Sequence, residues 1–303
     1  MKTNKDISPL AWGLLALLAL AWGGSFLSIR IALDEVGFLT SVAHRVGWAM
    51  CLLWGYVWLK GLPFPKESRI WIGFLGMGLL NNVIPFSLMA WGQLTIESGL
   101  TSILNAATAI FGVLLAAVFF VDERLTLRKA IGVGLGFLGV ATAIGIQHLL
   151  AFNLQSLAQI AVIGGTISYA LASIWARKRL AGLAPEVAAA GMLTGSTIIM
   201  LPAAWIIEGP MTLALKPITW AAIGYYVIIA TALAYLLYYK ILDLAGSGNL
   251  MLVTLLVPPV AIVLGAIFLG EALHPRAYVG FGLLALGLII LDGRAVDALR
   301  RGK

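Results

Sequence analysis

Long apolar segments recur along the whole chain, and they limit its fold more than any other feature. Each segment is about 17 to 24 residues long, and a helix needs about 20 apolar residues to cross a bilayer. Strands of a transmembrane barrel would instead alternate in polarity. The sequence therefore predicts an all-α membrane protein with ten transmembrane helices, at residues 10–31, 39–60, 69–92, 98–121, 128–148, 157–177, 186–207, 218–239, 247–269 and 276–292.

The composition supports a membrane protein, since 61% of the residues are hydrophobic and only 11% are charged. The net charge of +7 arises from short basic clusters between the apolar segments, without interleaved aromatic residues, so we expect no nucleic-acid partner. The single cysteine, Cys51, lies within an apolar segment. It allows no internal disulfide and no metal-ligand spacing, so neither a metal nor a cofactor is expected.

Basic residues are distributed unevenly between the two sides of the membrane. With the N-terminus inside and the connections alternating, 16 of the 20 lysines and arginines fall on the inner side. They are Lys2, Lys5, Lys60, Lys66, Arg69, Arg124, Arg128, Lys129, Arg177, Lys178, Arg179, Lys240, Arg294, Arg300, Arg301 and Lys303. The excess predicts that both termini lie in the cytoplasm. The N-terminus lacks a small-residue cleavage site, so we expect it to be retained.

The second half of the chain repeats the first at an offset of about 148 residues. Between residues 120–145 and 268–293, ten of 26 aligned positions are identical. The offset covers five predicted helices, an odd number, so the second copy enters the membrane from the opposite side. We therefore expect two five-helix repeats, 1–148 and 149–303, in an inverted arrangement with a binding site where they meet.

The apolar segment at 245–273 contains two adjacent prolines, Pro258 and Pro259. Proline donates no backbone hydrogen bond, and irregular backbone within a membrane is tolerated only when buried in protein or lining a cavity. The aligned residues of the first repeat are Ile110 and Phe111, so the two repeats differ here. We predict that the helix is broken at Pro258 and Pro259, and that this break acts as a hinge in gating.

These features together resemble the drug/metabolite transporter superfamily with its EamA-type repeats. The resemblance rests on the ten segments, the repeat, WGGSF at 22–26, and a glutamate after the fourth segment of each half, Glu123 in DERL and Glu271 in GEAL. It is greatest to bacterial exporters of amino acids, including aromatic ones, that also handle cationic aromatic compounds. It implies a multi-pass protein of the bacterial inner membrane that exports small molecules by alternating access without ATP.

Glu123 and Glu271 also have an expected role from their position alone. A carboxylate beside a helix end interacts with the partial charge of that end. We therefore expect both residues to cap or bridge neighbouring helix ends, with a function in gating or in structure.

The sequence contains no known catalytic constellation. Walker A, HExxH and GxSxG patterns are absent, so we expect a transporter and not an enzyme. No Asp or Glu lies near a predicted midplane, and Glu97, at the outer end of the fourth helix, comes closest. Since proton-coupled pumps usually retain such an acid, we predict facilitated or weakly coupled transport.

Two asparagines in the third helix are candidates for substrate binding. Asn81 and Asn82 precede Pro85, where a kink would free backbone groups for their amides to satisfy. The amides are also suited to face the ammonium and carboxylate of a zwitterion. The alternative is that Asn81 and Asn82 only join neighbouring helices.

A polar face recurs in the fourth and ninth helices. Thr101, Asn105 and Thr108 are spaced to share one face of the fourth helix, and Asn249 precedes the prolines of the ninth. One such face in each repeat favours a shared cavity that Thr101, Asn105 and Asn249 line. Helical hydroxyl groups can instead hydrogen-bond to carbonyls of their own helix, which leaves an alternative open.

Aromatic residues and one arginine complete the candidate site. Trp22, Tyr169 and Tyr235 lie within predicted helices, where they would stack on an aromatic or cationic substrate or else pack in the core. Arg45, near the outer end of the second helix, is costly in a membrane unless it is paired. We expect a structural partner such as Glu97 or a helix C-terminus, with a substrate carboxylate as the alternative.

The sequence thus predicts an exporter of amino acids with a mostly neutral, aromatic cavity. Its expected partners are a small-molecule substrate and the lipid bilayer, and the protein is either a monomer or a homodimer. Carriers of multiple drugs, organic cations or nucleotide sugars in the same superfamily are the main alternatives, although nucleotide sugars need more basic groups than Arg45. A channel-like membrane protein is a further alternative.

Overall fold

The computed structural model describes residues 8–120, 125–145 and 154–292. The helices are α1 (Pro9–Ala32), α2 (Phe38–Leu59), α3 (Ser68–Gly78), α4 (Ile84–Gly92), α5 (Ser98–Asn105), α6 (Thr108–Phe119), α7 (Leu127–Ile144), α8 (Leu154–Arg179), α9 (Pro185–Glu208), α10 (Pro217–Gly224), α11 (Ala234–Leu250), α12 (Val253–Leu269) and α13 (Pro275–Asp292). Two segments with π-helical hydrogen bonding join α3 to α4 and α10 to α11; they are π1 (Leu79–Val83) and π2 (Tyr225–Leu233). The described residues contain no strand, so the all-α prediction is confirmed.

Eight helices or continuous helical runs in the described ranges are long and apolar enough to cross a membrane. They are Pro9–Ala32, Ser68–Gly92, Ser98–Phe119, Leu127–Ile144, Leu154–Arg179, Pro185–Glu208, Pro217–Gly246 and Pro275–Asp292. The apolar helix α12 is shorter, with 17 residues, and α2 adds a helix of 22 residues that contains Arg45. The chain is therefore a multi-pass membrane protein.

Local sequence signals set several helix ends. Ser8 caps α1, because its Oγ accepts the Ala11 N–H at 3.2 Å, and Pro9 occupies the first turn, where an amide hydrogen has no helical acceptor. Pro217 begins α10 in the same way. At the end of α9, Gly209 has φ +87°, a conformation that glycine adopts without steric cost.

The two π segments lie at corresponding positions of the repeat. With the offset of 148 residues, Leu79–Val83 aligns with residues 227–231, which lie inside π2. A π turn inserts an extra residue into the helix, re-aims the side chains, and is frequent at functional sites. Within π2, Thr231 Oγ1 donates to the Tyr226 carbonyl oxygen at 2.7 Å. Both repeats therefore have an irregular helix at the aligned position.

The helix breaks do not lie where the prolines predicted them. Helix α12 runs through Pro258 and Pro259 without interruption, so the predicted break at this pair is wrong. The chain departs from helical geometry earlier, at Gly246 with φ +79° and at the turn 251–252, and the first repeat has a comparable turn at 106–107. A membrane helix tolerates proline when neighbouring groups satisfy the freed carbonyls. Hinge motion at the pair remains a prediction.

Glycines bring α7 and α13 into backbone contact. Gly139 faces Gly280, and Gly132 faces Gly287. A Cβ atom on Gly139 would lie 2.6 Å from the Gly280 carbonyl oxygen, so only glycine allows this approach. Small residues provide packing between membrane helices, where a hydrophobic driving force is absent. The residue numbers run in opposite directions along the contact, so α7 and α13 are antiparallel.

Candidate functional site

Polar side chains from both halves of the chain meet in the interior of the bundle. Asn82 is fully enclosed, and its Nδ2 donates to Ser196 Oγ at 2.8 Å. Its Oδ1 accepts from the Tyr235 hydroxyl and from Asn81 Nδ2, both at 3.2 Å. Asn81 Nδ2 also lies 3.4 Å from the Tyr235 hydroxyl oxygen and 3.4 Å from Met192 Sδ. These five residues form what we call the amide cluster.

The π1 segment positions the two asparagines. Both lie in π1 and point towards α9 and the start of α11, so their hydrogen-bond partners are side chains. The expectation that the amides satisfy backbone groups freed by Pro85 is therefore wrong. A hydroxyl group takes that role, because Ser168 Oγ donates to the Leu80 carbonyl oxygen at 2.7 Å.

Arg45 reaches from α2 into π2 in the other half of the chain. Its Nε donates to Thr231 Oγ1 at 2.9 Å, and its Nη2 lies 3.5 Å from the Ala230 carbonyl oxygen. The guanidinium carbon lies 4.0 Å from the centroid of the Phe86 ring, a cation–π contact. No described carboxylate forms an ion pair with Arg45, so the expected pairing with Glu97 is not observed.

Two of the three aromatic candidates lie beside Arg45. The Tyr169 ring of α8 packs edge-on against the same phenylalanine ring that the guanidinium covers, with centroids 6.4 Å apart. Tyr235 lies in the same region, because its hydroxyl donates to Asn82 Oδ1, and Asn82 precedes Phe86 by one helical turn. Trp22 instead lies against Tyr238, with ring centroids 6.0 Å apart. Tyr169 therefore shares the Phe86 ring with Arg45, Tyr235 belongs to the amide cluster, and Trp22 belongs to a separate aromatic group.

The remaining polar candidates lie outside the amide cluster. Thr101 Oγ1 donates to the Glu97 carbonyl oxygen at 3.0 Å, and Asn249 Nδ2 donates to that of Ala245 at 2.8 Å. Thr101 thus follows the alternative of a hydroxyl group that bonds within its own helix. Asn105 Oδ1 is enclosed and has no hydrogen-bond partner among the described residues.

Two carboxylates cap helices of the opposite half. Glu208, the last residue of α9, accepts the backbone N–H groups of Leu39 and Thr40 at 3.0 and 2.8 Å, at the start of α2. Glu271 accepts from the N–H and the hydroxyl of Ser98 at 2.9 and 2.7 Å, at the start of α5. Negative charge is stabilised at a helix N-terminus by the partial positive charge there. Glu271 therefore lies where a capping residue is expected.

Glu35 makes a third contact of this kind, at the start of α10. Its Oε2 accepts from the Thr219 hydroxyl and from the Lys216 N–H at 2.9 Å. These hydrogen bonds hold the pKa of the Glu35 carboxyl below its ordinary value of 4.5, and the bond from Thr219 has the largest effect. Glu123, the other predicted capping residue, lies outside the described residues.

An apolar groove lies between α1, α10 and α12, and it shares no residue with the amide cluster. It has a volume of about 380 Å³, and side chains such as Leu20, Leu27 and Ile218 line it. Such a lining offers few groups to orient a polar molecule. In the described ranges no three His, Cys, Asp or Glu side chains are grouped to hold a metal ion. The amide cluster and Arg45 therefore form the candidate site.

Four residues of this site were not predicted from the sequence: Phe86, Met192, Ser196 and Thr231. Hydroxyl groups are frequent in apolar helices, so Ser196 and Thr231 carried no distinctive signal. Because an arginine inside a membrane is energetically costly, a polar partner for Arg45 was expected. Identifying Thr231 as that partner depends on the packing of α2 against π2, which the sequence pattern does not contain.

The sequence is similar to known transporters over nearly its whole length. The pattern of the EamA-like transporter family matches residues 10–145 and 156–291, two copies of one unit. A probable terminal-alkyne amino-acid exporter of Streptantibioticus cattleyicolor is 28% identical over 97% of each chain. A probable amino-acid metabolite efflux pump of Salmonella typhimurium is also 28% identical, over 92% of this chain and 93% of the relative.

A solved crystal structure shares the fold with a TM-score of 0.68, over 93% of this chain and 96% of the other. The two sequences are 15% identical, so this similarity concerns the fold alone. Family and relatives are named as transporters, not as enzymes. Because both family units are present and together span most of its length, the chain belongs to the EamA-like transporter family of the drug/metabolite transporter superfamily.

Proposed function

We propose that this protein exports amino acids and related small metabolites across a bacterial inner membrane by alternating access. The observation that carries the proposal is the amide cluster, because it joins the two family units through neutral polar side chains in the interior. The names of two relatives, an amino-acid exporter and an amino-acid metabolite efflux pump, support the substrate class. The rings of Tyr169 and Tyr235 beside the cluster suit aromatic amino acids.

Ten membrane crossings in a five-plus-five inverted arrangement suit this function. Helices α7 and α13 hold corresponding positions in the two family units. Their antiparallel contact, Gly132 against Gly287 and Gly139 against Gly280, supports the inversion. In transporters with inverted repeats the substrate binds where the two units meet. With both termini in the cytoplasm, the connections that contain Glu35, Glu208 and Glu271 lie on the outer side.

The carboxylate caps are suited to an outer gate. Glu208 and Glu271 each hold a helix N-terminus of the opposite family unit, so the units separate at this end only if the caps release.

Pro258 and Pro259 lie in α12, which packs closely on α1 at Gly23, where no side chain would fit. We assign these prolines the role of a hinge that lets α12 move against α1.

The charges of the site favour facilitated or weakly coupled transport of small substrates. The amide cluster contains no carboxylate, so a proton-coupling acid is lacking among these residues. Arg45 is a single cation, whereas the phosphates of a nucleotide sugar call for several basic groups. A carrier of aromatic cations is the second candidate, because the Tyr169 and Tyr235 rings are able to bind a cation on their faces.

Uptake into proteoliposomes tests the proposal with a panel of amino acids and organic cations. We expect saturable amino-acid uptake that falls about tenfold in Asn82→Ala and Tyr235→Ala, since each change removes enclosed polar contacts. Thr142→Val is the control, because the Thr142 hydroxyl donates to the Leu138 carbonyl oxygen of its own helix. Uptake of organic cations alone would favour the second candidate, and unchanged uptake in both variants would place the binding site elsewhere.

A further inference from the structure

Arg45 is a buried cation whose partners in the described chain are all neutral. Its side chain is only 8% exposed and lies near the start of α2. An arginine inside a membrane protein is costly unless it meets an anion. The described ion pairs lie elsewhere, joining Arg30 to Asp34 and Lys216 to Glu35. The positive charge of Arg45 is therefore not balanced by any described carboxylate.

The guanidinium retains unused donors. Nε bonds to Thr231 Oγ1 at 2.9 Å, whereas Nη2 is 3.5 Å from the Ala230 carbonyl oxygen, a distance too long for a strong hydrogen bond. Nη1 makes no hydrogen bond with any described residue. Nη1 and part of Nη2 are therefore available to a ligand.

A carboxylate is the ligand that matches these donors. The planar guanidinium presents its N–H groups as a fork, which forms two parallel hydrogen bonds to the oxygens of a carboxylate. The Phe86 ring covers one face of the fork, with its centroid 4.0 Å from the guanidinium carbon, so the free donors are approached in the plane. One positive charge balances one carboxylate.

The neighbouring groups suit the rest of an amino acid. The Phe86 ring that the guanidinium lies over also packs edge-on against the Tyr169 ring. Asn82 precedes Phe86 by one helical turn, and its Oδ1 accepts from the Tyr235 hydroxyl at 3.2 Å. A small molecule held at Arg45 by its carboxylate would thus lie near aromatic rings and near the helix that contains Asn82. The opposite order, with an ammonium beside Arg45, would bring two positive charges together.

We propose that Arg45 binds the substrate carboxylate and makes the transporter select amino acids over the corresponding primary amides, which lack that negative charge. Thr231 and Ala230 orient the guanidinium, and the carboxylate supplies the counter-charge. The inference rests on the proposed function, transport of amino acids, and adds the group that recognises them.

The test compares each amino acid that the parent protein carries with its primary amide, by uptake into proteoliposomes. The parent is expected to show a KM for the acid at least about tenfold below that for the amide, since a charge-assisted pair is lost in the amide. Arg45→Gln should raise the KM for the acid by about tenfold or more and change that for the amide by less than about twofold. Arg30→Gln, which alters a partly exposed arginine near the end of α1, is the matched control and should leave both values unchanged.

A purely structural role for Arg45 gives a different pattern. Acid and amide uptake would then fall together in Arg45→Gln, and the preference for the acid would persist. If Arg45→Gln does not fold, thermal unfolding of the parent and of Arg45→Lys, each with added acid or amide, replaces the uptake test. The acid should stabilise the parent more than the amide does. This difference in stabilisation should be smaller in Arg45→Lys. Equal stabilisation of the parent by acid and amide would overturn the inference and leave the proposed function standing, whereas a parent that carries no amino acid would overturn both.

Discussion

The Tyr235 hydroxyl contacts both asparagines of the amide cluster, Asn81 and Asn82. In Tyr235→Phe, Asn82 Oδ1 loses one of its two donors, which should lower the free energy of unfolding by about 1 kcal/mol and weaken substrate binding. Thermal unfolding and the KM for uptake measure the two effects. Tyr278→Phe, at a position that is 50% exposed on α13, should change neither. Equal behaviour of the two variants would contradict a functional amide cluster.

Single residues could be predicted from the sequence where a polar group is rare in its surroundings. Asn81 and Asn82 were identifiable because an amide in an apolar helix must find a partner. Ser196 was not, since its hydroxyl also bonds to the Met192 carbonyl oxygen one turn earlier, as serine does in helices of any function. Its contact with Asn82 depends on how α9 packs against π1.

Pro258 and Pro259 give α12 two residues without backbone donors in an otherwise continuous helix. The double replacement Pro258→Leu and Pro259→Ala restores both donors and should stiffen α12. We expect the protein to fold and bind substrate as the parent does but to turn over more slowly, because a regular helix bends less readily. Initial rates at saturating substrate measure this effect. A variant as fast as the parent would show that these prolines serve packing alone.

The contact between Glu35 and the start of α10 depends on an ionised carboxylate. Because its pKa in the folded protein lies below the ordinary 4.5, the contact stabilises the protein fully above about pH 4.5. This stabilisation is lost as the pH falls through the lower folded-state pKa. Thermal unfolding should therefore show Glu35→Gln less stable than the parent at neutral pH, with the two converging in acid. A difference that is independent of pH would contradict the contribution of charge.

Helix positions were largely predictable, whereas helix irregularities were not. The first predicted helix, 10–31, corresponds to α1 at Pro9–Ala32, because apolar length and a terminal proline both appear in the sequence. The π segments and the turn at 251–252 depend on which carbonyl oxygen accepts the hydrogen bond of each backbone N–H group. Hydropathy contains no information about that choice, so the prolines were wrongly expected to mark the break.

The glycine contact between α7 and α13 connects the two family units. In Gly139→Ala the new Cβ would lie 2.6 Å from the Gly280 carbonyl oxygen, so the helices must separate, at a cost of about 1–3 kcal/mol. Gly134→Ala is the matched control on the same helix, because a Cβ there meets no atom within 4 Å. Thermal unfolding in detergent should distinguish the two variants. Equal stability would contradict a close contact between these backbones.

The whole-molecule arrangement was more predictable than the substrate. The repeat aligned Gly132 with Gly280 and Gly139 with Gly287, and these four glycines meet across the pseudo-symmetric contact. These glycines serve helix packing, and the members of a transporter family share that packing whatever substrate they transport. We propose that Arg45 and the amide cluster determine what fits between the units, and their mutual placement comes from tertiary packing alone.

Counterflow in proteoliposomes tests transport by alternating access at the amide cluster most directly. Vesicles are loaded with an unlabelled amino acid, and a trace of the labelled amino acid is added outside. We predict that the label accumulates transiently above its equilibrium level, that the effect saturates with substrate, and that Asn82→Ala diminishes it while Thr142→Val does not. Simple equilibration without accumulation, or the same accumulation in Asn82→Ala as in the parent, would contradict this mechanism.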